Sequence, residues 1–213
     1  MTETAPAYDP CVVILAGGEG RRIGGGKPQR RLAGETLLAR ARALAGSWSP
    51  HVAVAVRHPG QAPVDAEIVI DDPAVDGPLS GLLAGLRHGR ALGCRAVLTI
   101  PCDMPFLPAD LASGLSAALA GIAGPAVAVA SSAGRLHPVC ALWTPDTEAI
   151  LLEQAAAGRL SLTNLTERLD RRIVDWQMLN GPAAAVDPFF NINTPEDLAF
   201  AEALLTAPAR RST

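Results

Sequence analysis

The chain has 213 residues, enough to bury a substantial core as one large domain more comfortably than as two small ones. A formal net charge of −3 with 18% charged residues argues against a general nucleic-acid-binding surface, because the positive charge is concentrated locally. No apolar run approaches the ~20 residues that span a bilayer, and residues 1–10 have neither the basic start nor the apolar stretch of a signal peptide, so a cytoplasmic protein is expected.

The first predicted strand is the apolar run 11–15. It leads into Leu15-Ala16-Gly17-Gly18-Glu19-Gly20-Arg21-Arg22-Ile23-Gly24-Gly25-Gly26-Lys27. Glycines let backbone N–H groups approach a polyanion, and Arg21, Arg22 and Lys27 put cations where a triphosphate would lie. The competing reading is a glycine-rich surface turn with solvated arginines. A Walker loop is excluded because Gly26-Lys27 is followed by Pro28 instead of Ser or Thr. A dinucleotide fingerprint starting at Gly18 would need its third glycine at Ile23, and no acid ends the next strand, 51–56.

Downstream, helix 35–45, strand 51–56 and strand 67–70 lead to Asp71 and Asp72, then to Gly77-Pro78-Leu79-Ser80-Gly81 and a helix over 79–91. In an open parallel sheet ligands sit beyond the carboxyl ends of strands, so the two aspartates are candidates for a ribose or a metal; an Asp-Asp-Pro turn explains them as well. The strand 96–100 is followed by Pro101-Cys102-Asp103-Met104-Pro105, where two prolines restrain the backbone around Asp103. A hard carboxylate there suits magnesium, which takes one or two carboxylates plus substrate phosphates; capping of the next helix, 108–119, is the plainer role.

Strands over 126–130 and 139–143, helices over 146–157 and 161–169, and a strand over 172–176 follow. His137 precedes Pro138 and reads as a satisfied structural histidine, with substrate contact as the alternative. Arg135, His137 and residues 160–164 are candidates to border an acceptor site. If extended, Asn191 and Asn193 send both amides to one side. Thr194 can then cap a helix that has Pro195 in its first turn and Glu196 and Asp197 at the positive end of its dipole.

Strands alternating with amphipathic segments predict an α/β three-layer sandwich with a mostly parallel sheet. Without a linker rich in Pro, Gly or Ser, residues 9–206 are expected to form a single domain, with mobile ends at 1–8 and 207–213. Cys11, Cys94, Cys102 and Cys140 are scattered without a C-x-x-C pair and are expected as free thiols.

Taken together, Leu15-Ala16-Gly17-Gly18 with Arg21 to Lys27, Gly77-Pro78-Leu79-Ser80-Gly81, the Asp103 segment, His137-Pro138 and Asn191-Ile192-Asn193-Thr194-Pro195-Glu196 resemble the MobA-type molybdenum cofactor guanylyltransferases. The resemblance implies a Rossmann-like fold of the nucleotide-diphospho-sugar transferase type. It also implies transfer of GMP from GTP to molybdopterin, or Mo-molybdopterin, with release of pyrophosphate and Mg2+ as cofactor. By residue, it implies nucleotide contacts from Leu15, Ala16, Gly17, Lys27, Asp72 and Asp103, with Asp103 as metal ligand; the chemistry of the glycine loop and of Asp103 adds Gly18 as a backbone nucleotide contact and Arg22, Lys27 and Asp103 as catalytic groups. Neither nucleic acid nor membrane is an implied partner, whereas cofactor-assembly proteins and apo-molybdoenzymes are. The chain departs from the family pattern at Gly26, where an Asp is usual, and at Val54, where an Asn is often found. Those departures keep open cytidylyl transfer, transfer to a sugar phosphate, and a non-catalytic nucleotide-binding role in cofactor assembly.

Overall fold

The computed structural model describes residues 10–17, 26–63, 65–181 and 185–206. The ends expected to be mobile, together with Gly18, Arg21 and Arg22 of the glycine loop, lie outside these described residues.

Nearly continuous apolar runs become central strands because a parallel sheet is buried on both faces. The main sheet contains β1 (Cys11–Leu15), β4 (Val52–Val56), β5 (Ile68–Ile70), β6 (Val97–Pro101), β7 (Ala126–Ser132), β8 (Arg135–Trp143) and β9 (Asp170–Trp176). Their spatial order is β5-β4-β1-β6-β8-β7-β9. The neighbours β1/β4, β4/β5, β1/β6 and β7/β9 run parallel, and β8 is antiparallel to both β6 and β7. Successive residues of β1 point to opposite faces. Val12 and Ile14 pack with α1 (Leu37–Gly46) and α3 (Leu111–Ala118), whereas Cys11 and Val13 pack with α2 (Pro78–Ala91), α4 (Thr147–Ala156) and α5 (Leu162–Glu167). The three layers expected from the alternation are therefore present.

Helix α2 lies unusually close to the sheet. A Cβ at Gly85 would meet Val13 Cγ2 at 2.8 Å, and one at Gly81 would meet Leu15 Cδ2 at 2.8 Å. Removing both side chains from one face, four residues apart, lets the first turns of the helix settle over the carboxyl end of β1.

Three of the differences from the expected boundaries have a clear local cause. Glu35 and Thr36 form a short strand, β3 (Glu35–Thr36), paired with β2 (Arg31–Leu32), and α1 starts at Leu37 with Thr36 Oγ1 accepting from Ala39 N at 3.1 Å. Its threonine cap sets the start more strongly than the apolar spacing. Helix α3 begins at Leu111, after a turn in which Leu111 N donates to Pro108 O at 3.1 Å. Strand β8 extends back to Arg135 despite Pro138, because the β7/β8 register jumps from Val129↔Ala141 to Ala130↔His137. That bulge takes Pro138, which lacks an N–H, out of the ladder and keeps His137 within it.

Two short strands, β10 (Leu179–Asn180) and β11 (Ala185–Val186), pair as a ribbon, and α6 (Pro195–Thr206) follows. Thr194 caps α6 as the sequence suggests, its Oγ1 accepting from Asp197 N at 3.1 Å while Asp197 Oδ2 accepts from Thr194 N at 2.8 Å. Among the described residues, no helix is long and apolar enough to cross a membrane.

Candidate active site

Strand order reverses around β1, between β4 on one side and β6 on the other, so the carboxyl ends of β1 and β6 flank a crevice of the kind that takes ligands in open α/β sheets. Lys27 reaches this region from a single 3-10 turn, Lys27–Gln29. Gly26 enters that turn at φ 60° and ψ 31°, a left-handed conformation that glycine adopts freely. Lys27 Nζ ion-pairs with Asp103 Oδ2 and donates to Asn193 Oδ1 at 2.8 Å and Asn191 Oδ1 at 3.2 Å. An ammonium group has three N–H donors and no acceptor, and these three acceptors match it.

Asp103 stands in the loop after β6, and its own carbonyl accepts from Ile192 N at 3.0 Å, which ties this loop to the Asn191–Asn193 stretch. Only 9% of the residue is exposed. Burial pushes its carboxyl above the usual range, opposed by the Lys27 charge and hydrogen bond. Asp103 Oδ1 is buried without a hydrogen-bond partner. A hard cation is the group such an orphaned carboxylate oxygen suits best. Among the described residues, no cluster of three or more His, Cys, Asp or Glu could hold a metal by protein ligands alone. The neighbouring Cys102 thiol is pushed up to about 12 by burial and then by the Asp103 charge, and so stays neutral.

At the carboxyl ends of β1 and β6 lies a cavity of about 260 Å³ walled by Leu15, Gly17, Ala55, Asp71, Pro78 and Pro101, the last of these standing two residues before Asp103. Asp71 is wedged between two glycines. A Cβ on Gly17 would sit 2.6 Å from its Oδ2, and one on Gly81 would sit 3.3 Å from its Oδ1. Asp71 Oδ1 is buried without a partner, and burial pushes this carboxyl up against the opposing charge of Arg57. Asp72 is otherwise engaged. Its Oδ1 accepts from Ala74 N at 2.9 Å and its Oδ2 pairs with Arg87 at 2.7 Å, and these bonds hold its carboxyl below the usual range.

The remaining candidates divide in the same way. Leu15 and Gly17 line the cavity, whereas the Ala16 side chain is buried in the core and its N–H donates to Ala55 O at 3.0 Å. Val54 is packed on the α1 face, turned away from the cavity that Ala55 borders. Ser161 Oγ caps α5 by accepting from Asn164 N at 3.3 Å, and Leu162 is buried. The resemblance names Asp72 as the nucleotide contact, whereas Asp71 is the one of the two that lines this cavity, and nothing in the sequence assigned Asn191 and Asn193 a catalytic partner. The same-side spacing of the two asparagines was the available signal.

Residues 12–173 match the MobA-like NTP transferase domain. The chain belongs to that family. A molybdenum cofactor guanylyltransferase from Cereibacter sphaeroides is 38% identical over 203 residues, covering 92% of this chain and 97% of the relative. A protein of the same name from Rhodopseudomonas palustris is 40% identical over 205 residues, covering 93% and 95%. The solved structure of molybdopterin-guanine dinucleotide biosynthesis protein A from Archaeoglobus fulgidus has a similar fold, with a TM-score of 0.73 at 24% identity, over 92% of this chain and 98% of that one. As a MobA-like NTP transferase the chain is a nucleotidyltransferase.

In strand β8 of this MobA-like chain, His137 is 4% exposed and stacked on Phe189, with ring centroids 4.4 Å apart at 17°. Its Nε2 lies 2.8 Å from Ser132 Oγ, and Ser132 Oγ donates to Asp187 Oδ1 at 2.7 Å. Since the serine proton goes to Asp187, the Nε2 position must carry the proton donated to Ser132. Burial, helped by Arg135 and opposed by Asp187, pushes the imidazole below its ordinary value of 6.5. Below about that pH the unfolded chain binds a proton here that the folded chain does not, so this group's contribution to stability is present above 6.5 and lost as pH falls. In urea titrations between pH 7.5 and 5.5, the wild-type midpoint should fall more steeply than that of His137→Gln, and equal slopes would contradict the buried neutral imidazole.

Proposed function

We propose that this cleft transfers GMP from GTP to the terminal phosphate of molybdopterin or Mo-molybdopterin, working in the cytoplasm. The observation that carries the reading is the convergence of Lys27 on Asp103, just after β6, whose last residue Pro101 also walls a cavity large enough for a base. The names of the relatives point to the same acceptor and donor.

The acceptor phosphate monoester is already ionised near neutral pH, so no strong general base is needed and the protein's work is positioning and charge neutralisation. An acceptor oxygen attacks the α-phosphorus; the bond from that phosphorus to the bridging oxygen breaks, and pyrophosphate leaves with the electron pair. Lys27 offsets the charge that develops on the departing group, giving up one of its present acceptors to reach it. Arg22 is assigned beside it from the sequence alone. Asp103 would hold magnesium, which would supply charge neutralisation at the phosphates.

The cavity between Leu15, Gly17 and Pro78 takes the base, and Asp71 supplies an acceptor there. Guanine presents adjacent N1–H and 2-amino donors, the edge that suits a carboxylate; cytosine and adenine offer one amino donor beside a ring-nitrogen acceptor. An acceptor left unpaired by the wrong base is a source of discrimination.

The deciding experiment presents the purified chain with molybdopterin, Mg2+ and each nucleoside triphosphate in turn and follows pyrophosphate. GTP should be preferred, with ITP used less well and that gap narrowed in Asp71→Asn. Preference for CTP would overturn the base assignment, and no release from any nucleotide would overturn the reaction. Lys27→Ala should lower kcat on the order of 10²-fold or more, the scale set by loss of one preorganised charge-stabilising donor; undiminished turnover would remove Lys27 from that role. Asp103→Asn should raise the Mg2+ concentration needed for half-maximal rate, and an unaltered metal titration would remove it as a ligand.

A further inference from the structure

The cluster of Ser132, His137 and Asp187 contains the residue types of a hydrolase triad, and its connectivity excludes that use. In a nucleophilic triad the histidine sits in the middle and accepts the serine proton. Here the serine sits in the middle, its proton directed at Asp187, and it is fully buried. No substrate reaches its oxygen.

The neighbours of this cluster indicate a different role. Asp187 Oδ1 accepts from Phe189 N at 2.8 Å as well as from Ser132. The Phe189 ring stacks on His137 and meets the edge of Trp176 at 5.9 Å. Two residues further on, Asn191 begins the stretch whose amide oxygens hold Lys27. Residues 187–194 form no strand or helix, so no ladder fixes their course. They are held by Phe190 N to Asp187 O at 3.0 Å, by Ile192 N to Asp103 O at 3.0 Å, by Asn193 N and Thr194 N to Asp197 Oδ2 at 2.8 Å each, and by the anchoring of Asp187 and Phe189 on the β7/β8 hairpin. The bulge that keeps His137 in the ladder places the ring under Phe189.

We propose that Ser132, His137 and Asp187 are a positioning unit for the reaction, setting Asn191 and Asn193 so that these amides aim the Lys27 ammonium. The inference rests on the reading of Lys27 as the cation that meets the triphosphate. Neutral amide oxygens suit the task. They fix the direction of the ammonium while leaving its charge to be offset by phosphate, which a further carboxylate would not do. Displacements of about 1 Å in a reacting geometry can cost 10²-fold in rate, so a modest shift of this segment is enough to be measured.

The test is a double-mutant cycle on the full chain. Ser132→Ala should lower kcat/KM for GTP on the order of tenfold, and Asp187→Ala should match it, whereas Asp187→Asn, which keeps an acceptor oxygen, should recover most of the loss. In a background of Asn191→Ala with Asn193→Ala, Ser132→Ala should have no further effect, because its only route to the chemistry is gone. An equal loss in both backgrounds, or full activity of Ser132→Ala, would overturn the proposal. The same cycle read as GTP affinity by calorimetry needs no turnover, so it still decides the question if the acceptor reaction fails; absence of pyrophosphate from the wild-type chain counts against the proposed function instead. Thermal unfolding of each variant identifies any that is not folded, and Asp187→Asn, nearly isosteric, keeps the comparison available.

Discussion

The contact between the Lys27 ammonium and the Asp103 carboxylate constrains the rest of the site. Removing two charges from water costs several kcal/mol per ion, and their attraction offsets that only when the remaining donors and lone pairs are also satisfied. Lys27 meets the condition through Asn191 and Asn193. Asp103 does not, since Oδ1 lacks a hydrogen bond and burial pushes the carboxyl upward. The fold thus holds a carboxylate oxygen in a costly setting that the proposed cation would relieve. Three distant segments have to meet for this: the turn after Gly26, the loop after β6, and the irregular stretch before α6.

The cavity side of the cleft is shaped by absence of side chains. Gly81 and Gly85 let α2 approach β1, and Gly17 leaves room for the Asp71 carboxylate. A single methyl at Gly17 would occupy the place of Asp71 Oδ2, so the first glycine loop and the start of α2 depend on each other through a residue belonging to neither. Outside this wedge, Arg87 links Asp72 to Glu148 at 2.7 and 3.0 Å, joining the turn after β5 to α4. Partly exposed pairs of this kind contribute little to stability individually. Their geometric effect is to leave Asp71, instead of Asp72, facing the cavity.

The elements were legible where a physical signal was unambiguous. Apolar runs such as 11–15 and 126–130 had to be strands in a buried sheet, and Thr194 with Pro195 announced α6. Boundaries slipped where two local signals competed. Thr36, inside the expected helix 35–45, instead caps α1; Pro138, outside the expected strand 139–143, is taken into β8 by a bulge. For the site, Asp103 and Lys27 were legible because one follows a strand between prolines and the other ends a glycine loop. The choice between Asp71 and Asp72 was not legible, because it turns on Arg87, a partner 15 residues away from Asp72 on a different element.

By itself the sequence determined the layer order, the strand-end placement of the acids and the chemistry of the cationic loop, since each follows from local periodicity, backbone restriction and charge. Only the tertiary structure decided which groups act together: that Asn191 and Asn193 close around Lys27, that Asp103 keeps one oxygen unpaired, and that Ser132 stands between His137 and Asp187 in an order incompatible with nucleophilic attack. The reason is physical. Hydrogen-bond direction and desolvation depend on distances between side chains far apart along the chain, and no local pattern encodes those distances.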